Sequence, residues 1–448
     1  MTEPNRLNQA LWPANSRCDE KSGELSLGGV KVSQLIAQYQ TPAFILDEDD
    51  FRSRGIKFRD AVRKFFGDSS DVYYASKAFT SIATCKWLIE DGLNIDVCTG
   101  GELAVALAAK FPPERIELHG NNKSLEEITE AIHCGVRYIV ADSLIEIDRI
   151  NAIAGKLGKR QSVLLRLTPG ISAHTHESIA TAHEDVKFGF SIASGAAMLA
   201  AVAAANAEHI SLEGVHCHIG SQIFDDAGFI LAIERLIKFM ADVQKSQNIQ
   251  LHHLNFGGGF GIAYVDGDDP MDVTEVLGKI HQALVAQCAK FEMDMPTIAI
   301  EPGRAIVGPA MVTLYQVGTV KDVVLDDGKT CTYISVDGGM SDNIRPSLYD
   351  AEYSALLANR ESSAPLTTSR LVGKHCETGD IIIRDIALPS DIVPGDVLAI
   401  PATGAYGRSM ASNYNHILRP PVVVVRDGQS KVIIRREKIS DLLALEEA

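Results

Sequence analysis

The chain between residues 48 and 309 alternates short apolar runs with segments of helical periodicity. The runs are rich in β-branched and aromatic residues, a pattern typical of buried parallel strands. Eight of them occur: Val72–Ala75, Asn94–Cys98, Ile116–His119, Arg137–Ala141, Ser162–Leu167, Glu213–His218, His252–Phe256 and Thr297–Glu301. Eight strands alternating with helices predict a (β/α)8 barrel of the TIM type, with a doubly wound open sheet as the structural alternative.

Several of the intervening segments carry helix signals. Glu48–Phe66 precedes the first run, and Ser124–His133 opens with a serine cap followed three residues later by an acid. Gly101–Lys110 and Asp272–Glu292 are patterned similarly. The Ala-rich stretch Ser191–Ala207 is interrupted by Ser and Gly, so we expect a helix packed on the protein and not a membrane span.

The pattern changes after Gly308, where strand signals follow one another without helices. The predicted strands are Val312–Val323, Cys331–Val336, Ser369–His375, Ile381–Ile386, Val397–Pro401 and, as a pair joined by the turn Asp427-Gly428, Val422–Arg435. Strand-like stretches at Glu24–Lys31 and Ala43–Leu46 join this region. We therefore expect a barrel over 48–309 and a β-rich domain built from 1–47 and 310–448.

Composition and charge narrow the class of protein. The chain has 448 residues, 46% of them hydrophobic and 22% charged, which is typical of a globular enzyme. The net charge of −16 argues against nucleic acid as a partner and, more weakly, against anionic membranes. The first residues lack a signal-peptide pattern, and the eight cysteines form no CxxC pair. We expect a cytoplasmic protein.

Barrel enzymes place their chemistry at the C-terminal ends of the strands. Lys77 follows the first run and offers a partly desolvated amine. The sixth run ends in His216 and His218, and an imidazole there can stack on an aromatic cofactor. The glycines Gly257, Gly258 and Gly259 follow the seventh run, where backbone N–H groups can approach a phosphate.

The eighth run ends in Glu301-Pro302-Gly303-Arg304. A carboxylate at this position can pair with a protonated ring nitrogen, and the Arg can bind a phosphate or carboxylate. Taken singly, Lys77 is more typical of a solvated surface lysine, the histidines of structural residues and the glycines of a tight turn, while Glu301 fits a structural ion pair as well as a functional role. Together they predict a binding site for pyridoxal phosphate, with Lys77 as the covalent attachment point.

A competing constellation lies in the polar segment after Pro169-Gly170. His174, His176 and His183, with Glu177, resemble a zinc-binding set. They follow the strand instead of lying on it, and the sequence shows no complete set of acidic ligands. We therefore expect no metal, and keep a zinc-dependent hydrolase as a rival class.

The β-rich region contains its own polar cluster. Arg345 and Tyr349 are spaced to grip a carboxylate together. Cys376 is flanked by His375 and Glu377, which makes a working thiol an alternative to an ordinary buried cysteine.

These motifs resemble the diaminopimelate decarboxylase family, in the fold type III group of alanine-racemase-like pyridoxal-phosphate enzymes. The resemblance extends from about residue 25 to about residue 440 and rests on YYASKA, HCHIGSQ, GGGFGI, EPGR, DNIRPSLY, HCETGD and GAYGRSMASNYN. It implies decarboxylation of meso-2,6-diaminopimelate to L-lysine and carbon dioxide, the last step of lysine biosynthesis. It also implies a homodimer with composite sites.

The resemblance assigns roles residue by residue. It implies Lys77, His218, Glu301 and Cys376 as catalytic groups, with Cys376 as the proton donor. The implied cofactor-binding set is Lys77, His218, Ser221, Gly257, Gly258, Gly259, Glu301, Gly303, Arg304 and Tyr406. The implied substrate-binding set is Arg304, Arg345, Tyr349, Glu377 and Tyr406.

Related activities remain as alternatives. The retained carboxylate Glu301 disfavours a racemase, because racemases of this group place an Arg against the ring nitrogen. Arg345 and Tyr349 disfavour decarboxylases of ornithine, arginine or carboxynorspermidine, since a cationic substrate tail calls for acidic residues. A catalytically silent relative that binds the cofactor or a partner is disfavoured by the presence of Lys77, Glu301 and Cys376.

Overall fold

The computed structural model describes residues 7–170, 187–324, 326 and 328–447. Contacts between residues divide the chain into two compact units. The barrel unit comprises residues 54–261 and 270–303, and the β-rich unit comprises residues up to 53 with 262–269 and 304–448. The short segment 262–269, which lies inside the sequence range predicted for the barrel, thus groups with the β-rich unit.

The barrel unit is built on eight parallel strands in sequence order. They are Asp71–Ala75, Asn94–Val97, Ile116–Leu118, Tyr138–Ala141, Gln161–Thr168, Ile210–His216, His253–Asn255 and Thr297–Ile300. The eighth strand pairs with the first and the fourth with the fifth, so the sheet closes on itself. This closure confirms the predicted barrel and excludes the open doubly wound sheet.

Helices alternate with these strands. They are Glu48–Phe66, Ile82–Glu90, Gly100–Ala108, Leu125–Cys134, Leu144–Lys156, Ala196–Asn206, Ala227–Gln247 and Val273–Phe291. The predicted cap at Ser124 is confirmed: its hydroxyl accepts the Glu127 N–H at 3.1 Å, and the Glu127 carboxylate accepts the Ser124 N–H at 2.9 Å.

One helix prediction was too long. The Ala-rich helix begins at Ala196 and not at Ser191, because Gly195 adopts a left-handed φ of 82° that ends regular geometry before it. Phe190–Ser191 instead forms a short strand beside the fifth barrel strand.

The β-rich unit contains a mixed sheet whose main path runs Ile381–Pro389, Leu366–Val372, Thr330–Val336, Met311–Val324, Ala43–Asp47, Val422–Arg426 and Gln429–Ile434. Val397–Ile400 pairs with the long strand and with Leu356–Leu357. A three-stranded sheet is formed by Arg17–Cys18, Leu25–Leu27 and Val30–Lys31. The short helices are Val32–Tyr39, Arg304–Val307, Arg345–Tyr349 and Ile439–Leu443. The predicted β-rich domain is confirmed, although these short helices make it mostly β and not all-β.

The strand predicted over Ser369–His375 instead ends at Val372. The buried Asp380 carboxylate accepts N–H groups from Met340 at 2.6 Å and from His375 at 2.8 Å. A Cβ on Gly373 would overlap that carboxylate. The chain therefore leaves the sheet at this glycine and forms the loop that contains Cys376.

Candidate active site

Lys77 lies in a single 3-10 turn, Ser76–Ala78, directly after the first barrel strand. The Tyr74 hydroxyl donates to the Phe79 carbonyl at 2.6 Å and so braces the turn from below. Ser76 and Ala78 are buried, whereas Lys77 is exposed. The turn thus presents one amine at the C-terminal end of the barrel, where the sequence predicted it.

Glu301 follows the eighth strand and is the centre of a buried polar cluster. One oxygen, Oε1, accepts a hydrogen bond from Asn255 Nδ2 at 2.7 Å. The same oxygen lies 3.0 Å from Nε2 of His216 and 3.1 Å from Nε2 of His119. The Glu301 carboxylate is thus surrounded by nitrogen atoms in the barrel interior.

The charge state of this cluster follows from its surroundings. Burial alone would raise the pKa of Glu301, but the contacts with His216 and His119 outweigh burial and hold that pKa well below its ordinary value. Burial lowers the pKa of His216, and lowers the pKa of His119 to about 4. The short contacts with His216 and His119 therefore favour the charged form of the Glu301 carboxyl group.

The glycine loop Gly257–Gly259 follows the seventh strand. Gly257 has φ 74° and Gly259 has φ 108°, which side chains rarely tolerate. A Cβ on Gly257 would lie 2.5 Å from the Cys217 carbonyl oxygen, and one on Gly258 would overlap the Glu301 carbonyl oxygen. Glycine is thus required for the loop to approach the neighbouring strand ends so closely.

His218 lies two residues beyond the last residue of the sixth strand and beside the glycine loop. The predicted strand reached His218, whereas the observed strand ends at His216. The Gly258 N–H donates to Nδ1 of His218 at 3.4 Å. Burial, followed by the positive charge of Lys77, lowers the pKa of His218 well below its ordinary value. His218 is therefore a neutral ring, suited to stacking.

Two other residues predicted to bind cofactor belong to the same end of the barrel. Ser221 is half-buried after the sixth strand, next to Gly220, whose carbonyl lies against Gly259. A Cβ on Gly303 would lie 2.7 Å from that of Ala75, so the chain after Glu301 packs directly on the strand that carries Lys77. The barrel unit thus brings Lys77, His218, Glu301 and the glycines to one end.

The β-rich unit carries a second cluster, made of arginines and tyrosines. Arg304 Nη1 donates to the Tyr264 hydroxyl at 2.6 Å, and the Arg304 guanidinium lies 4.7 Å from the Tyr406 ring centre. The Arg345 guanidinium lies 3.8 Å from the Tyr264 ring centre and 5.2 Å from that of Tyr353. Cation–π contacts therefore hold both guanidinium groups in fixed orientations.

Arg345 still has a donor to offer. Its Nη1 is buried and has no hydrogen-bond partner within the described residues. A buried guanidinium N–H without an acceptor is costly unless a ligand supplies one. Tyr349, predicted to act with Arg345, is half-buried at the other end of the same short helix.

The loop with Cys376 is rigid at its base and open at its tip. His375 Nδ1 lies 2.8 Å from the Asp380 carboxylate, and the His375 ring stacks on Tyr414 at 5.6 Å. Cys376 and Glu377 are exposed, and Glu377 accepts a hydrogen bond from the Tyr414 hydroxyl at 3.3 Å. A thiol in this setting is accessible, unlike an ordinary buried cysteine.

Glu117 also belongs to the barrel cluster, since its Oε1 lies 3.6 Å from Nε2 of His119. Sequence reasoning missed five residues of the two clusters: Glu117, His119, Asn255, Tyr264 and Tyr353. His119 ended a predicted strand, so the strand-end rule applied to all eight runs would have found it. Glu117 and Asn255 were detectable only as polar residues inside apolar runs. The histidines of the rival zinc set, His174, His176 and His183, lie outside the described residues.

The barrel groups fit pyridoxal phosphate: an exposed amine, an ionised carboxylate, a neutral ring and a glycine loop at one end. A comparison with protein families agrees with this fit. The family model described as pyridoxal-dependent decarboxylase, pyridoxal binding domain, matches residues 51–308. The fold and this match define a pyridoxal-phosphate-dependent decarboxylase.

Curated relatives extend the similarity over the whole chain. The diaminopimelate decarboxylase of Mycobacterium tuberculosis strain H37Rv is 50% identical over 450 residues, covering 100% of both chains. The diaminopimelate decarboxylase of Bacillus subtilis strain 168 is 46% identical and covers 95% of both chains. The chain therefore belongs to the diaminopimelate decarboxylase family.

Solved structures show the same architecture. The diaminopimelate decarboxylase of M. jannaschii in complex with L-lysine has a TM-score of 0.90 at 30% identity, covering 98% of this chain and 99% of its own. That of Helicobacter pylori, also complexed with L-lysine, has a TM-score of 0.83 at 30% identity, covering 92% and 98%. In the described part of the chain, no helix is long and apolar enough to cross a membrane.

Proposed function

We propose that the chain decarboxylates meso-2,6-diaminopimelate to L-lysine and carbon dioxide, as the last step of lysine biosynthesis, with pyridoxal phosphate as cofactor. The observation that supports this substrate most directly is the buried, unpaired Nη1 of Arg345. Diaminopimelate carries a distal carboxylate that can accept from this donor, whereas ornithine and arginine carry a cationic tail there.

The roles proposed for the barrel residues follow from their charge and position. Pyridoxal phosphate, when bound, supplies the electron sink that accepts the electron pair released with carbon dioxide. The amine of Lys77 attaches the cofactor and gives way to the substrate amine. The Glu301 anion stabilises a protonated ring nitrogen, and the neutral ring of His218 packs on the cofactor face.

The family resemblance assigns the phosphate to Gly257, Gly258 and Gly259, with Ser221 and Arg304 nearby. It adds Gly303 and Tyr406 as further cofactor contacts. The same resemblance assigns substrate contacts to Arg304, Arg345, Tyr349, Glu377 and Tyr406. In this scheme Arg345 anchors the distal carboxylate and so selects which stereocentre reacts. The bond from the α-carbon to its carboxylate breaks, and Cys376 donates the proton that replaces carbon dioxide.

We also propose a cytoplasmic homodimer in which Cys376 and Glu377 complete the site of the partner subunit. Their exposure in the single chain is consistent with such a role. A cysteine that acts in the neighbouring subunit must lie at the surface of its own, and this one does.

The test of the reaction is incubation of the purified protein with meso-diaminopimelate and pyridoxal phosphate. We expect L-lysine and carbon dioxide in equal amounts, with no comparable turnover of ornithine or arginine. Preferred turnover of either control substrate would overturn the substrate assignment. No turnover of any of them by protein that binds the cofactor would favour the catalytically silent alternative.

The composite site has a separate test. Lys77→Ala and Cys376→Ala each remove one half of a site, so each homodimer should be inactive. After the two proteins are unfolded together in equal amounts and refolded, the mixture should regain about a quarter of the wild-type activity, because half of the dimers are heterodimers with one intact site of two. No recovery, despite heterodimers seen by mass spectrometry, would place both residues in sites of the same chain.

A metal-dependent hydrolase remains the rival class, and measurements on one preparation of the protein can test it. His119, His216 and Glu301 bring three possible ligand atoms within 4.8 Å of one another, although Oε1 of Glu301 already accepts from Asn255. Metal analysis together with the absorption spectrum separates the classes. We expect a borohydride-sensitive yellow colour, and stoichiometric zinc without it would favour the hydrolase.

A further inference from the structure

The interior of the barrel contains a polar layer where barrels ordinarily pack branched apolar side chains. Glu117, from the third strand, and Asn255, from the seventh, are fully buried at 0% exposure. These two strands face each other across the barrel, with three strands between them in either direction. Asn255 Nδ2 lies 3.2 Å from Oε2 of Glu117, so a hydrogen bond crosses the interior.

Every polar group of the Asn255 side chain is used. One N–H donates to Glu301 at 2.7 Å and the other to Glu117, while Oδ1 accepts the Gly257 N–H at 2.9 Å. Asn255 therefore links the carboxylate of the eighth strand to the first residue of the glycine loop. An amide is suited to this place, because it donates twice and accepts once.

The pKa values of the buried carboxyl groups in this layer are also shifted by their surroundings. Burial, reinforced by the charge of Glu301, raises the pKa of Glu117 well above its ordinary value. Burial and the same charge also raise the pKa of Asp96, on the second strand. Burial therefore disfavours the charged forms of Glu117 and Asp96, whereas the contacts of Glu301 favour its charged form.

We propose that Asn255 is a positioning residue, anchored by Glu117, that holds the Glu301 carboxylate and the glycine loop at a fixed separation. Since the proposed function assigns Glu301 to the ring nitrogen and Gly257 to the phosphate, this inference rests on it. Asn255 would then set the distance between the two ends of the cofactor. It touches neither end itself.

The first test measures the dissociation constant of pyridoxal phosphate by titrating it into cofactor-free protein. Asn255→Asp places a further carboxylate against Glu301, and we expect affinity to fall by about tenfold or more. The matched control is Asn94→Asp, since Asn94 is also buried and donates to a carboxylate, Asp71, at 2.8 Å, but lies at the opposite end of its strand. Equal affinities in the two variants would overturn the proposal.

The anchor is tested by two changes at Glu117. Glu117→Gln keeps an acceptor for Asn255 without charge, so cofactor affinity should stay within about threefold of wild type, whereas Glu117→Leu should lose about tenfold. Thermal unfolding of each cofactor-free variant shows that the protein is folded. Equal losses of cofactor affinity in Glu117→Gln and Glu117→Leu would disprove the role of Glu117 as a hydrogen-bond acceptor for Asn255.

The link to Glu301 is tested by a double-mutant cycle. If Asn255 acts through Glu301, Asn255→Leu should weaken cofactor binding much less in a Glu301→Gln background than in wild type. Fully additive losses would overturn the link. These binding measurements do not depend on turnover, so a wild-type protein that fails to form lysine would refute the proposed substrate while leaving the result for Asn255 readable.

Discussion

The barrel cluster and the arginine–tyrosine cluster are both buried, yet they consist of different kinds of ionisable side chain. Around Glu301 the barrel gathers carboxyl and imidazole groups whose charges depend on their neighbours. Around Tyr264 the β-rich unit gathers two guanidinium groups, which stay protonated in proteins. The first cluster suits a cofactor whose electronic state must be tuned, and the second suits an anion that must simply be held.

This difference predicts two kinds of mutational effect. Changes in the barrel cluster should alter the cofactor spectrum and the turnover number, because they act on groups proposed to touch the cofactor. Changes at Arg345, which is assigned to the substrate and not to the cofactor, should raise KM and leave the spectrum unchanged. The predictions below run from the largest expected effect to the smallest.

Lys77→Ala should have the largest effect, because it removes the proposed attachment point. We expect turnover to fall by more than about a thousandfold, with loss of the visible absorption band. The control is Lys86→Ala, an exposed lysine on the following helix. If either the absorption or the turnover survives in Lys77→Ala, the lysine has been misassigned.

Glu301→Gln should have the second-largest effect, since it removes the ionised carboxylate of the barrel cluster. Turnover should fall by about a hundredfold, the loss typical of a preorganised electrostatic partner. The visible absorption should persist but shift, because the ring nitrogen loses its anionic partner. A change confined to KM would contradict the distinction between the two clusters.

Arg345→Ala tests the arginine–tyrosine cluster. Removing a buried charged donor should raise KM for meso-diaminopimelate by roughly a hundredfold, with an unchanged cofactor spectrum. Arg384→Ala, on an exposed part of a strand in the same unit, is the control. Wild-type KM in Arg345→Ala would remove the main support for the distal-carboxylate role.

Tyr264→Phe is the finest test, because it removes one hydroxyl and keeps the ring. The hydrogen bond to Arg304 is lost while the ring remains against Arg345, so KM should rise by about five- to tenfold. Tyr264→Leu removes both contacts and should raise KM further. If Phe and Leu behave alike, the ring contact contributes nothing measurable.

The sequence predicted the barrel well because its strands are buried on both faces. Such strands appear as apolar runs, and all eight predicted runs form strands, some with shifted ends. Helix starts were found where a side chain caps them, as at Ser124. The roles of the strand-end residues, the dimer and the domain bounds at 48–309 stay predictions.

The residues that were missed share a physical cause. Asn255 and Glu117 satisfy each other across the barrel, and no local pattern encodes a partner 138 positions away. Tyr264 lies five residues after Gly259 of the glycine loop, but its contacts are with Arg304 and Arg345 of the β-rich unit. Local periodicity cannot reveal that the chain changes unit for eight residues and then returns.

The strand Ala43–Asp47 has a consequence for how the protein is made. In its sheet it lies between Met311–Val324 and Val422–Arg426, so its two neighbours are synthesised long after it. In an emerging chain, one edge of this apolar strand stays unpaired until Met311–Val324 is made, and the other until Val422–Arg426 is made near the end of synthesis. Chains that stop before Val422 should therefore expose an unpaired strand edge. Such fragments should be prone to aggregation and become substrates of chaperones and proteases in the cell.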